Sequence, residues 1–149
     1  MKLENEIYQK KFRNQFHKLA VNLLYTHGWF LENHSRILDE FSISRQQFNI
    51  LRILRGQHPN PATVNLLKER MLDKKSDVSR ILDKLCIKEL TEREICLADR
   101  RKADVKITEK GLNLLQKIDE SNSKFDSILA NLTESEAETL NSLLDKMRS

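Results

Sequence analysis

Chain breakers are scarce here: three glycines and two prolines among 149 residues. Long helices are the expected outcome, and a glycine-rich phosphate cradle is excluded. Cysteine is equally sparse. Cys86 and Cys96 form no CxxC pair, so no disulfide framework is expected, and a reducing cytoplasm is the expected setting. His17, His27, His34 and His58 are scattered, with neither HxxxH nor ExxH spacing. No metal site and no cofactor is therefore expected. No apolar run approaches the length of a membrane span, and the opening MKLENEIYQKKF lacks the apolar stretch of a signal peptide. No nucleophile–base pair stands out either, which argues against an enzyme.

What is present is charge, carried on a regular apolar pattern. Charged residues make up 32% and hydrophobic ones 39%, and the length suits one domain with its own core. The formal net charge is +4, a weak pointer to a polyanionic partner. Its distribution says more. Residues 1–67 carry nine basic against five acidic residues and 68–110 thirteen against ten, whereas 111–149 carry four against seven. The basic excess avoids the C-terminal segment.

Apolar periodicity organises the chain. Residues 4–40 read as one long helix, with Ile7, Phe12, Phe16, Leu19, Leu23, Phe30 and Leu31 at helical spacing and Gly28 as the expected interruption. A second helix spans 44–56, opened by a capping box of Ser44 and Gln47 and closed by Gly56. Asn60 and Pro61 are read as the start of a short helix ending near Met71. Ser76 is read as the cap of a helix over 76–89. Val78, Ile81, Leu82 and Leu85 share one face of that helix, while Arg80, Asp83 and Lys84 lie opposite. Two strands follow, 90–96 and 102–107, the second alternating through Ala103, Val105 and Ile107. Thr108 caps a long helix over about 109–130, and Thr133 with Glu136 boxes the last one. A short helix, a turn and an amphipathic helix with a basic outer face is helix-turn-helix organisation.

The strings DVSRILDKL, ELTERE and DRRKADVKITEKG, in that order and at ordinary spacing, resemble the MarR family of transcription regulators. The flanking helices fit the family plan as well. The fold this implies is mainly α: a winged helix-turn-helix with a small β-hairpin wing and long N- and C-terminal dimerisation helices. Residues 1–40 and 109–149 would be the dimerisation segments and 44–107 the DNA-binding lobe of a single domain. One position departs from the family pattern. Gly-Leu usually follows the recognition helix, and Glu89-Leu90 stands here. Glycine takes a left-handed helix exit readily, and glutamate pays more for it.

The resemblance implies a homodimer on double-stranded DNA, by default a repressor on a palindromic operator, with Ser76, Asp77, Ser79, Arg80 and Lys84 on the major-groove surface. Short side chains let the helix backbone approach, and the longer donors reach base edges and phosphates. In similar proteins an Asp-x-Arg tip places its arginine in the minor groove, which maps to Asp99 and Arg101. Arg100 and Lys102 suit phosphates, and Lys74, Lys75, Asn60 and Thr63 are weaker backbone candidates. Each of these also has a bland reading as solvated surface. Family members often sense small aromatic molecules, so Phe12, Phe16, His17, Trp29, Phe30 and His34 are candidate effector contacts, with core and dimer packing as the plainer alternative. The rival to a DNA-binding regulator is a winged helix used only for protein–protein contact, which would lack a steep salt dependence.

Overall fold

A computed structural model describes residues 1–95 and 103–149 of the chain. The first helical segment is divided, and not at the glycine. Helix α1 spans Leu3–Glu6 and α2 spans Gln15–Asp39. Between them the chain is irregular, with Tyr8 at φ 54°. Asn14 sets the start of α2 by accepting a hydrogen bond from His17 N, as a helix cap does. Gly28 lies inside α2 without interrupting it; one glycine costs a long helix only about 1 kcal/mol. Ion pairing of Lys18 with Glu4, and a hydrogen bond from Tyr25 to Glu6, hold α1 alongside α2. Lys18 keeps the Glu4 carboxyl below its ordinary pKa.

Helix α3 spans Arg45–Gln57, and both halves of the Ser44–Gln47 capping box form. Helix α4 then begins later than Asn60. Ala62–Thr63 is a short strand, β1, and Thr63 caps α4 (Val64–Arg70). Helix α5 spans Val78–Ile87 and is capped by Asp77, whose carboxylate accepts from Arg80 N. The Ser76 hydroxyl, expected to cap, is instead buried without a hydrogen-bond partner among the described residues.

Strands β2 (Thr91–Ile95) and β3 (Ala103–Ile107) pair antiparallel, with Thr91 opposite Ile107 and Ile95 opposite Ala103. β1 joins the other edge of β3, Ala62 opposite Val105, giving the order β1-β3-β2. This pairing is why the chain stays extended past Pro61. The long helix expected over 109–130 is two: α6 (Glu109–Asp119) and α7 (Asn122–Ser127). The break at Glu120–Ser121 follows Ile118, the last fully buried residue, and Phe125 on α7 stacks parallel to Phe48 of α3 at 6.2 Å between ring centres. Helix α8 spans Glu134–Arg148 behind the expected Thr133–Glu136 capping box.

The apolar core runs from Leu38 to Ile118, through Ile50, Leu51, Leu54, Leu67, Leu82, Leu85, Val105 and Leu115. Gly111 closes it against the sheet. A Cβ there would lie 2.4 Å from the Leu90 carbonyl oxygen and 2.7 Å from Ile107 Cγ1, so only glycine lets α6 approach that closely.

Candidate nucleic-acid interface

Helix α5 presents two unlike faces. Val78, Leu82 and Leu85 are buried in the core, while Ser79, Arg80, Asp83 and Lys84 are exposed. The helix is thus anchored through one side and leaves a basic, small-residue side free, the arrangement a groove-reading helix needs. Asp77 spends its carboxylate on capping, and the Ser76 hydroxyl is turned inward. In the preceding turn Lys74 donates to the Glu69 carbonyl, and Lys75 is exposed.

Arg93 adds a group that sequence reasoning missed. From β2 it donates to Asp83 Oδ1 at 2.8 Å and to the Ser79 carbonyl at 3.4 Å. A guanidinium therefore lies directly beside the outer face of α5 and offsets the charge of Asp83, which phosphates would otherwise repel. The signal was faint: an arginine in a weakly patterned strand, whose direction depends on the sheet. Asp99, Arg100, Arg101 and Lys102, with Cys96, lie outside the described residues, between the paired Ile95 and Ala103. Cys86 is half-buried, its sulfur 3.4 Å from the Thr91 hydroxyl.

The exit of α5 takes the geometry that a glycine would favour. Glu89 adopts φ 59°. Its N–H donates to the Cys86 carbonyl, and Leu90 N–H donates to Leu85 O at 3.0 Å, the paired bonds of a Schellman turn. The Thr108 hydroxyl, which caps α6, also donates to Glu89 O at 2.7 Å. One threonine thereby fixes both the end of α5 and the start of α6, which places α5 relative to the sheet.

A cavity of about 790 Å³ lies between α2, α3 and the turn leading to α5. Phe30 and His34 line it, with Arg45, Phe48, Asn49 and Arg52. Of the six residues expected at an effector site, these two alone reach it. Phe12 and His17 pack edge to face at the other end of α2, Phe16 is 81% exposed and Trp29 41%. The polar lining from α3 was not anticipated; Arg45, Asn49 and Arg52 fall at helical spacing, so they line one wall together. His34 sits among Phe30, Phe48 and Phe125, 4.8 Å from the last. Its Nδ1 is buried without a partner among the described residues. Burial, aided by the Arg45 charge, lowers its pKa. The imidazole is therefore neutral near pH 7 and carries an unused hydrogen-bonding atom. Among the described residues no group of three or more His, Cys, Asp or Glu converges as a metal site, and no helix is long and apolar enough to cross a membrane.

The profile of the MarR family matches residues 43–103, from just before α3 to the first residue of β3. Three solved structures are similar over nearly the whole chain. A MarR transcription factor from Planctomyces limnophilus is 25% identical at a TM-score of 0.71, covering 93% of this chain and 98% of its own. A mutant MarR from E. coli, complexed with operator DNA, is 24% identical at 0.77, covering 93% and 99%. The organohalide-sensing regulator RdhR, in its 2,4-dichlorophenol-bound form, is 23% identical at 0.80, covering 95% and 86%. Such regulators, rather than enzymes, are what this arrangement of three-stranded sheet, α5 and flanking helices is similar to. Residues 43–103 of this chain match the MarR family profile, and its fold is similar to that of MarR-family transcription regulators.

Proposed function

We propose that the protein is a homodimeric DNA-binding transcription regulator that represses from a palindromic operator and responds to a small aromatic effector. The observation that carries this reading is α5: Val78, Leu82 and Leu85 on its core side are fully buried, and its free side holds Ser79, Arg80 and Lys84 with Arg93 alongside. Ser79 and Arg80 read bases, whereas Lys84, Lys74, Lys75 and Arg93 face phosphates. At the wing, Arg101 enters the minor groove, held by Asp99, with Arg100 and Lys102 on the backbone.

Dimerisation is supported by the apolar residues the chain leaves uncovered. No residue of α8 is buried, and Leu140, Leu143 and Met147 are exposed, as are Phe16, Leu19 and Leu24 of α2. A helix of that length is marginal without a packed face. Residues 1–40 and 109–149 form the dimerisation segments and 44–107 the DNA-binding lobe, with Leu115 and Ile118 of α6 rooting the C-terminal arm in the lobe's core. One lobe reads a half-site, and a two-fold pair reads two, about one DNA turn apart. The effector site is the α2–α3 cavity. It joins a dimerisation helix to the lobe, and its lining offers the Arg45 and Arg52 charges beside the Phe30 and His34 rings to an acidic aromatic ligand. A regulator of this kind works in the cytoplasm, where bacterial DNA is accessible.

Selection of bound sequences from a random duplex pool, followed by titration of the winner at two salt concentrations, tests the reading. A palindrome with half-sites one turn apart, bound more weakly at higher salt, is the expected result. No enriched motif, with salt-insensitive binding to another protein, would replace it with the protein-interaction module.

A further inference from the structure

A second cavity, of about 650 Å³, opens at the C-terminal end of α5. It shares no lining residue with the α2–α3 cavity. Phe41, Ile43 and Leu114 give it an apolar floor, and Lys88, Lys110 and Lys117 stand around it. The convergence follows from the fold. Lys110, Leu114 and Lys117 share one face of α6 by helical spacing. Lys88, the residue that ends α5, is tied across the opening: its Nζ donates to the Ser42 carbonyl and, at 3.3 Å, to Gln47 Oε1. Among the described residues one carboxylate, Glu89, is paired with these lysines, 3.3 Å from Lys110. Lys88 meets only neutral acceptors there.

We propose that this cavity is a second small-molecule site, selective for an amphiphilic organic anion: a carboxylate or sulfonate carried on a compact apolar body. The apolar floor gains from covering by hydrocarbon, and the volume is in the range of ligand sites, roughly 300–1,000 Å³. Among the described residues Lys88 and Lys117 have no carboxylate partner, and a single anion in the cavity supplies the countercharge. An uncharged ligand forgoes this gain, and a small inorganic anion leaves the floor wet. The occupant is therefore defined by both features together. Its charge meets Lys88 and Lys117, so occupancy bears directly on the residue that ties the end of α5 to the α2–α3 turn.

Amide-resolved NMR titration of the full-length protein tests this, with 1-naphthoate as probe and uncharged 1-naphthalenemethanol as control. The expected result is saturable shifts at Ser42, Asn113, Leu114 and Lys117 with naphthoate. The alcohol should bind there at least about tenfold more weakly. Lys117 is exposed, so Lys117→Glu leaves the fold intact; it should weaken naphthoate at these amides by about tenfold or more while shifts around Phe30 and His34 are unchanged. Shifts confined to the α2–α3 cavity, equal binding of the alcohol, or an unaffected Lys117→Glu variant would each overturn the proposal. So would probe binding that disappears as protein concentration rises, because a second copy would then occupy the cavity.

Discussion

The lobe and the arms are built from similar fractions of leucine and isoleucine, yet they bury them very differently. Between Leu38 and Ile118 the described residues include sixteen buried hydrophobic ones around one core. Beyond Ile118 it holds none among the described residues, and most of α2 before Ile37 is likewise uncovered. The same leucine can be a core residue or a docking residue according to what lies across from it. Burial within one chain holds the core together, with Leu38 of α2 and Leu115 and Ile118 of α6 inside it, whereas the apolar faces of the arms are left uncovered among the described residues. Their stability should accordingly depend on concentration, and that of the lobe should not.

The largest expected effect tests that contrast. Leu115→Ala should cost about 2–5 kcal/mol, because a fully buried side chain leaves a cavity behind it. Leu143, 58% exposed, should behave otherwise: Leu143→Asp should leave the lobe's urea midpoint unchanged and shift sedimentation toward the monomer. Equal losses of lobe stability in the two variants would erase the distinction between core and arm.

A second contrast lies within the lobe, between the helix and the wing. Arg80→Ala should cost about 1–3 kcal/mol of operator affinity and relax the preferred sequence. Arg101→Ala should weaken operator binding with helix content intact, and Lys102→Ala should weaken all sequences alike. Fluorescence anisotropy on operator and scrambled duplexes separates these outcomes; indistinguishable profiles would remove the division between base and phosphate contacts.

Smaller effects sharpen the comparison of α5's two ends. At its C-terminal end Glu89→Gly should raise stability by up to about 1 kcal/mol, because glycine enters the left-handed region without the Cβ penalty. The exposed pairing with Lys110 adds little to offset that gain. Thermal unfolding measures it, and a loss would mean that the Glu89 side chain contributes more than its geometry implies.

The smallest effect belongs to His34, where an arm helix meets the lobe. Its folded pKa is lowered by burial and then by Arg45. Below the ordinary value of 6.5 the unfolded chain therefore binds more protons than the folded one, and stability falls as pH drops from there toward the folded pKa. His34→Gln should flatten that slope in urea titrations between neutral and mildly acid pH. An unchanged slope would assign the acid sensitivity to another group.

Local chemistry made much of this protein legible in advance. The capping boxes at Ser44 and Thr133 form from residues three apart, the buried stripe of α5 follows helical periodicity, and the need for a left-handed residue at Glu89 follows from how helices end. These depend on neighbours in the chain, which a sequence states outright. What only the tertiary structure decided depends on residues far apart. Ala62 and Thr63 are a strand because β3 offers them a free edge, and that pairing moves the start of α4 from Asn60 to Thr63. Helix α6 ends at Asp119 and α7 carries Phe125 back to stack on Phe48. Arg93 reaches Asp83, and Arg45 and Arg52 share a cavity with His34, only once strand, helix and turn are packed. A two-residue strand has no period to read, and a charged side chain's partner is set by packing rather than by its neighbours in sequence.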